Sequence, residues 1–429
     1  MAPGVPRTVR RPSRKSIYDP IHGAISLEGA ALELIGQASF QRLWGIRQTG
    51  LAHLVFPGAN HTRLEHSLGV AWVAGRMAEA LEVSEADRRT VVVGGLLHDL
   101  GHGPFSHSLD GPMEEVLGHG HERLSRFRIE GVEGAGVPAP EPPTAIPGIL
   151  ERHGISPARV AALVDPAGGG NAAAPLLRSI LHGPVDADRT DYLQRDAHYT
   201  GVAHGAIDAA RLLETLEADR GRPVFAEKGR SALEGFLLGR TLMYNSVYYH
   251  KTVRAAEVML AGGVERFPGY PDAARPLFGR TDGDLLVDME RAGGFPAEMA
   301  LALRERRLYK RIGGFRTLPE ARRRELARRL RRPADRRALE EGLAAALRAR
   351  PGQILLDPSG LGPRRAGPAD LEEIGVREGN RTVRPFARSP HWRSLLLRPP
   401  SLWALAVYAH PAHRRVAEAK IGRLLDRLP

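Results

Sequence analysis

The chain has 429 residues, with 61 Lys and Arg against 49 Asp and Glu and a formal net charge of +12. A hydrophobic content of 42% excludes wholesale disorder, and the absence of cysteine excludes disulfides, thiolate nucleophiles and Cys-ligated metal sites. No apolar run approaches the ~18 residues of a membrane span, so we expect a cytoplasmic protein without a membrane segment.

Helical periodicity dominates the predicted elements in chain order. Apolar residues recur at i, i+3, i+4 and i+7 through most of the first 265 residues, whereas convincing strands are scarce. Residues 263–300 are turn-rich, and strands are predicted only late, at 352–357 and 403–409. We therefore predict a mostly α protein with a small α+β C-terminal extension. Its predicted parts are a disordered basic arm (1–15), a helical core (16–265), an Arg-rich helical extension (266–350) and a small mixed C-terminal region (351–429).

Positive charge is concentrated in one segment. From 304 to 350 there are 17 Lys and Arg against 6 Asp and Glu, which nearly accounts for the imbalance of the whole chain. Such a segment is either a solvated Arg-rich helix or a surface for polyanions such as nucleotides or nucleic acid. Few aromatic residues alternate with these charges, so the pattern is not typical of single-stranded nucleic-acid binding. The charge alone leaves both interpretations open.

Histidines and aspartates predict a metal site. Eight of the 17 histidines lie between His53 and His121, and the adjacent pair His98 and Asp99 ends the apolar run VVVGGLL. Together with His66 and Asp188, this pair offers four nitrogen and oxygen ligands from three predicted helices, with coordination positions left open. Histidines in apolar helices are more often core residues than ligands, but so dense a cluster costs stability unless it binds something. These ligand types suit Mn, Fe, Zn, Mg or Ni, and the sequence does not identify the ion.

Five blocks of sequence carry a family resemblance. The order His66, His98–Asp99, Asp188 resembles the signature of the HD-domain metal-dependent phosphohydrolases. More narrowly, the chain resembles the HD part of the deoxynucleoside triphosphate triphosphohydrolases that carry a sterile-alpha-motif domain in animals. The blocks are DPIHG (19–23), VFPGANHTRLEHSLGV (55–70), GLLHDLGHGPFSHSLDG (95–111), VDADRTDYLQRDAHYTG (185–201) and VYYHKTV (247–253). The resemblance implies that 16–265 is an HD-domain helical catalytic core.

The resemblance also implies a reaction and its residues. In that family a metal-activated water attacks the α-phosphorus of a dNTP, releasing deoxynucleoside and inorganic triphosphate. Carried over to this chain, the metal ligands are His66, His98, Asp99 and Asp188. His107 becomes the candidate general acid, with His102 and His121 beside the reacting phosphate. The residues implied in substrate binding are Gln48, Arg63, Arg189, Tyr192, Asp196, Arg240 and Tyr248.

The expected activity is hydrolysis of dNTPs by a metal-dependent homo-oligomer, dimeric or tetrameric. One alternative is an HD phosphatase or phosphodiesterase that acts on nucleoside monophosphates or on a signalling nucleotide. Another is a nucleic-acid-binding protein that uses the basic segment 304–350, and a third is a metal-bound scaffold without turnover. Base and sugar preference, nucleotide activation and biological role are not fixed by the sequence.

Overall fold

The computed structural model describes residues 14–132, 137–138, 141–169, 175–362, 373–379, 382–386 and 403–426. All of the predicted site residues lie within these ranges, whereas most of the predicted N-terminal arm lies outside them. Within the described part of the chain, every helix is too short or too polar to traverse a lipid bilayer.

Helices make up most of the described structure, as predicted. They are α1 (Gly29–Leu34), α2 (Ala38–Arg42), α3 (Arg63–Ala80), α4 (Glu85–Leu97), α5 (Asp110–Leu117), α6 (His121–Glu130), α7 (Ala145–Arg152), α8 (Pro157–Val164), α9 (Pro175–His182), α10 (Ala187–Thr200), α11 (Ala209–Glu214), α12 (Arg230–Met243), α13 (Lys251–Val264), α14 (Asp282–Ala292), α15 (Gly294–Arg304), α16 (Glu320–Leu330), α17 (Pro333–Ala346) and α18 (Arg414–Asp426).

The described strands are short: two precede α1, two lie between α11 and α12, and five follow α15. They are β1 (Arg14–Asp19), β2 (Gly23–Glu28), β3 (Leu216–Asp219), β4 (Arg222–Ala226), β5 (Lys310–Phe315), β6 (Ile354–Asp357), β7 (Gly375–Glu378), β8 (Thr382–Pro385) and β9 (Leu405–Ala409). The sheet orders are β1-β2, β3-β4-β7-β8 and β5-β9-β6. The mostly α fold with a small strand-containing C-terminal region is therefore confirmed, and so are strands within both late segments predicted to hold them.

Three helices of the core carry the predicted metal ligands. Helix α3 packs along α4 and against α10, and its buried face includes Val70, Val73 and Met77. A capping box between Thr62 and Glu65 fixes the start of α3 by satisfying backbone N–H groups that the first turn leaves free. Since His66 is in that first turn, the cap also helps to fix the position of the His66 backbone.

The beginning of the chain differs from the helical prediction for residues after 16. Strands β1 and β2 form an antiparallel hairpin in which Arg14 pairs with Glu28 and Asp19 with Gly23. In β2 only Ile25 and Leu27 are buried, which is the alternation of a half-buried strand. This alternation is short and runs directly into the apolar residues of α1, so helical periodicity obscured it in the sequence.

The C-terminal half contains more regular structure than predicted. Residues 263–300, predicted to be turn-rich, include α14 and most of α15. The continuous helical pattern at 231–262 is interrupted by a π-helical turn at Tyr244–Tyr248, a distortion that is frequent at functional sites.

The C-terminal sheets connect parts that the sequence separates. Strand β9 pairs with β5 on one side and with β6 on the other, so the Arg-rich extension and the C-terminal region share one sheet. Parallel pairing of β4 with β7 joins the C-terminal region to the helical core. Strands β7 and β8 of the C-terminal region are therefore joined to the core by strand pairing.

Candidate active site

Four predicted ligands meet where α3, α4 and α10 converge. His66 Nε2 lies 3.0 Å from Asp188 Oδ1, and His98 Nε2 lies 4.0 Å from the same oxygen. Asp99 lies between the two imidazoles, with Oδ1 3.2 Å from His98 Nε2 and Oδ2 3.7 Å from His66 Nε2. His98 ends α4 and Asp188 is in the first turn of α10. The structure thus brings together residues from three parts of the sequence.

The ligand cluster fits a divalent cation. His66 Nε2 and His98 Nε2 are both buried and lie 3.0 Å and 3.2 Å from carboxylate oxygens of Asp188 and Asp99, but neither forms a hydrogen bond of good geometry to a described residue. Buried polar atoms without partners are rare in proteins and call for a bound group. Burial lowers the pKa of His66, but Asp188 and Asp191 outweigh it and raise that pKa to about 9. The carboxylates therefore favour positive charge at this point, and a cation would supply it.

A further set of buried charges orients His66. Its Nδ1 lies 2.7 Å from Asp191 Oδ2, which keeps the proton on Nδ1 and leaves Nε2 free to bind a cation. Asp191 is fully buried and also contacts His22 at 2.6 Å and Arg195 at 2.8 Å. Asp191 was not predicted as a site residue, although it shares the 185–201 block with Asp188 and follows it by three residues. That spacing, one helical turn, was the available signal.

Arg63 links the ligand cluster to the neighbouring loop. Its Nη1 donates to Asp99 Oδ2 at 2.7 Å and its Nε to the Ser106 hydroxyl at 2.8 Å. Burial raises the pKa of Asp99, but Arg63 opposes burial and the net result is a pKa well below the ordinary value. Arg63 therefore keeps Asp99 ionised beside the two imidazoles.

Three histidines form a second cluster next to the first. The rings of His102 and His121 stack at 3.8 Å, and the His107 ring lies 4.9 Å from His102. Asp110 Oδ2 accepts a hydrogen bond from His107 Nδ1 at 2.9 Å. Asp110 was missed in the sequence, although it follows His107 by three residues. Its contact leaves Nε2 as the atom of His107 that could exchange a proton with a bound molecule.

The surroundings shift the pKa values of these three histidines differently. Desolvation lowers the pKa of His107, while Asp110 opposes the shift; 47% of the side chain remains exposed, which limits the desolvation. His102 is almost fully buried, and burial together with Arg63 and His121 holds its pKa well below the ordinary value. For His121, burial lowers the pKa but Asp110 outweighs it, so the net shift is upward. The cluster can therefore contain both neutral and protonated imidazoles.

The loop before His107 has an unusual backbone. Phe105 and Ser106 have φ of 56° and 53°, in the left-handed region that non-glycine residues rarely adopt, at a cost of about 1–2 kcal/mol per residue. The buried carboxylate of Asp282 accepts the Phe105 N–H at 2.6 Å. Asp282 lies far away in the sequence, and no local pattern indicated that it would reach this loop.

Most of the predicted substrate-binding residues line one cavity of about 870 Å³ beside His107. They are Gln48, Arg63, Tyr192, Asp196, Arg240 and Tyr248. Asp196 is buried and accepts from the Tyr248 hydroxyl at 2.5 Å, and it also contacts His61 Nε2 at 2.7 Å. The described wall does not include the four metal ligands; Arg63 forms part of it and contacts Asp99 behind it. The size is typical of a site for a small molecule.

Arg189 has a different environment from the other predicted substrate residues. Its guanidinium donates to the Gly183 carbonyl at 2.7 Å and to Asp186, the residue that caps α10. Asp186 carries the opposite charge and is largely responsible for the raised pKa of Arg189. In this conformation the side chain stabilises the start of α10, and it is not part of the described cavity wall.

Two family models match the chain. A model described as the HD domain matches residues 63–196, which include all four ligands. A model described as the HD associated region matches residues 207–426, more than half of the chain.

Several curated proteins are similar in sequence. An uncharacterised protein of Methanocaldococcus jannaschii is 38% identical over 58% of this chain and 49% of its own length. The uncharacterised protein YwfO of Bacillus subtilis is 36% identical over 57% of this chain and 54% of its own. The human deoxynucleoside triphosphate triphosphohydrolase SAMHD1 is 29% identical over 60% of this chain and 45% of its own. The chain thus spans about half the length of the curated relatives it matches.

Two solved structures share the fold over nearly the whole chain. A hypothetical protein of Aquifex aeolicus is 28% identical with a TM-score of 0.71, covering 95% of this chain and 100% of its own. A phosphohydrolase of Bacteroides thetaiotaomicron has a TM-score of 0.69 at 24% identity and covers 92% of this chain and 99% of its own.

Proposed function

The chain belongs to the HD-domain phosphohydrolases, and from that premise we propose that it hydrolyses deoxynucleoside triphosphates to deoxynucleoside and inorganic triphosphate. The observation that carries the proposal is the adjacency of two clusters: a buried His/Asp set with two unpartnered imidazole nitrogens, and a histidine held by a carboxylate. Similarity to enzymes named deoxynucleoside triphosphate triphosphohydrolase supports this choice of substrate.

The metal-binding role falls to His66, His98, Asp99 and Asp188. A divalent cation held there would polarise a phosphoryl oxygen and acidify water. The protein's own contribution is to orient His66 and to keep Asp99 charged. Asp191 holds the proton of His66 on Nδ1, and Arg63 keeps Asp99 ionised. The donor set admits Mn, Fe, Zn, Mg or Ni.

His107 is the proposed general acid. When water attacks the α-phosphorus, the bond to the 5′-oxygen breaks, and that oxygen leaves as an alkoxide unless it receives a proton. His107 lines the cavity, and its protonated form can donate from Nε2 while Asp110 holds Nδ1. His102 and His121 stack on each other beside it, and His121 together with Arg63 can place positive charge near the phosphate oxygens.

The remaining cavity residues suit a sugar and a phosphate chain. Asp196 and Gln48 can hydrogen-bond a sugar hydroxyl, and Arg240 and Tyr192, which line the same cavity, can hydrogen-bond phosphate oxygens. The Tyr248 ring lies 5.0 Å from that of Tyr244 and narrows the space beside Asp196. This crowding supports a preference for deoxyribose over ribose.

Product identification tests the proposal directly. Metal-replete protein is incubated with a panel of dNTPs, NTPs, nucleoside monophosphates and cyclic or dinucleotide signals, and the products are separated by mass spectrometry. We expect deoxynucleoside and inorganic triphosphate from dNTPs. Orthophosphate from monophosphates, or a cleaved diester, would show instead that the chain is an HD phosphatase or phosphodiesterase.

A further inference from the structure

One carboxylate from the 207–426 region reaches the catalytic side of the helical core. Asp282 is the first residue of α14, and its side chain is buried. Oδ1 accepts the Phe105 N–H at 2.6 Å, and Oδ2 accepts the Arg47 N–H at 3.1 Å. A single side chain therefore joins two core segments that are distant in the sequence.

Both segments lead directly into the cavity. Arg47 precedes Gln48, and Phe105 and Ser106 precede His107; Gln48 and His107 both line the cavity wall. The Ser106 hydroxyl adds a second link between the segments by donating to the Arg47 carbonyl at 2.7 Å. Asp282 itself is not among the described residues of the wall, so it can influence a bound molecule only through these neighbours.

The backbone at Phe105 and Ser106 needs to be held. Two consecutive non-glycine residues in the left-handed region are strained, and such strain persists only where surrounding contacts enforce it. The Asp282 bond to the Phe105 N–H acts on the first of these residues. Close packing acts on the same loop, because a Cβ at Gly50 would approach the Phe105 carbonyl to 2.8 Å.

A carboxylate suits this position. Two backbone N–H groups face it, and the carboxylate offers each of them a separate acceptor oxygen. Burial raises the pKa of Asp282 to about 6, which makes an ionised side chain here costly. The Phe105 and Arg47 N–H groups, and the Arg47 guanidinium 3.4 Å from Oδ2, partly offset this cost.

We propose that Asp282 is a positioning residue, which fixes the Phe105–Ser106 turn so that His107 faces the leaving oxygen, and fixes that turn relative to Gln48. The HD-associated region thereby completes the geometry of a site whose other named residues lie mainly in the HD domain. The kinetic consequence rests on the proposed hydrolase function, whereas the structural consequence does not.

Hydrogen exchange tests the structural consequence. Asp282→Asn replaces one acceptor by an amide N–H that faces a backbone N–H. We expect amides in the peptide covering 103–109 to exchange at least about tenfold faster, because a tether of this loop is lost. The matched control is Asp284→Asn in the same helical turn, since Asp284 bonds only Thr281 in the α14 cap among the described residues. Unchanged exchange in Asp282→Asn, or an equal increase in both variants, would overturn the proposal.

Kinetics tests whether Asp282 acts through His107. We expect Asp282→Asn to lower kcat about 10–100-fold with the KM and metal content little changed, which is the effect of a displaced catalytic group. The double variant with His107→Ala should be no slower than His107→Ala alone, because the acid it positions is absent. The proposal would be contradicted if the double variant were slower than His107→Ala by the full factor seen for Asp282→Asn. A change confined to KM would also contradict it.

Other measurements decide the role of Asp282 if the unmodified protein is inactive or if Asp282→Asn does not fold. If the unmodified protein hydrolyses none of the nucleotides, the proposed function fails and hydrogen exchange alone decides the role of Asp282. If Asp282→Asn does not fold, Asp282→Glu keeps both acceptors but moves them by one methylene. Asp282→Glu should then lower kcat by less than about tenfold and speed exchange at 103–109 by less than about tenfold. Behaviour identical to the unmodified protein would contradict the proposal.

Discussion

The segment 53–121 is rich in histidine and the segment 304–350 is rich in arginine. The two segments differ in how far their ionisable side chains are buried. His66 and its partner Asp191 are both 0% exposed. By contrast, the side chain of Arg328 is 79% exposed and that of its partner Glu325 is 48% exposed. Charges removed from water demand partners with defined geometry, whereas charges in water do not. Enrichment in ionisable residues thus indicates a site only where those residues are also buried.

The same comparison bears on nucleic-acid binding. Several Arg residues of α16 pair with Glu residues of the same helix, as Arg323 and Arg324 do with Glu320. Other Arg residues of the segment face inward, as Arg336 of α17 does toward Glu265. The excess charge of the segment is thus partly neutralised locally. Binding of nucleic acid through 304–350 stays a prediction, and a mobility shift with steep salt dependence would support it.

The largest expected effect comes from removing two ligands. His98→Ala combined with Asp99→Ala should abolish nucleotide hydrolysis, because half of the donor set is lost and Arg63 is left without its buried partner. Turnover is measured with the best substrate of the panel, and circular dichroism checks that the helices persist. Residual activity close to that of the unmodified protein would place the reaction elsewhere.

Loss of the proposed acid should have the next largest effect. His107→Ala is expected to slow turnover by about 10²–10⁴-fold, the usual contribution of a positioned acid. Metal bound by His66, His98, Asp99 and Asp188 should be retained, because His107 is not a member of that cluster. Metal loss in this variant would instead make His107 a ligand.

Removing a buried charge should cost stability. Asp191→Ala leaves Arg195, which is 0% exposed, with Asp19 as its remaining described partner and frees the Nδ1 proton of His66. We expect a loss of about 3–5 kcal/mol in the free energy of unfolding, as for other broken buried pairs. Denaturant titration measures this loss. A loss below about 1 kcal/mol would show that the buried network is not stabilising.

The smallest effect is expected on the Arg-rich side. Arg328→Ala removes an exposed pair with Glu325, so turnover should be unchanged and the Tm should shift by less than about 2 °C. Differential scanning fluorimetry and the same turnover assay suffice. A marked loss of turnover would instead connect this segment to the active site.

Much of the site was predictable because its ligands lie in long, specific sequence blocks. His66, His98, Asp99 and Asp188 were predicted as one site, and the structure brings them together. The family resemblance is confirmed by the two matching family models. Asp110 and Asp191 lie inside the same blocks, but their contacts with histidines depend on side-chain direction, which spacing alone suggests only weakly.

What the sequence did not reveal depends on contacts between distant segments. The bond from Phe105 to Asp282 joins residues with no shared pattern, and the left-handed backbone at Phe105 and Ser106 has no glycine to signal it. In the fold, β3 and β4 were missed because they are only four and five residues long. Short strands gain their stability from pairing with partners, here including β7, rather than from local preference.

Metal content is the most direct test of the central claim that His66, His98, Asp99 and Asp188 hold one cation. The unmodified protein and Asp188→Ala are loaded with Mn²⁺, desalted and analysed by inductively coupled plasma mass spectrometry. We predict about one ion per chain in the unmodified protein, as expected for a single four-ligand site, and a near-complete loss in the variant. Equal metal content in both proteins would show that the cation is not held by these four residues.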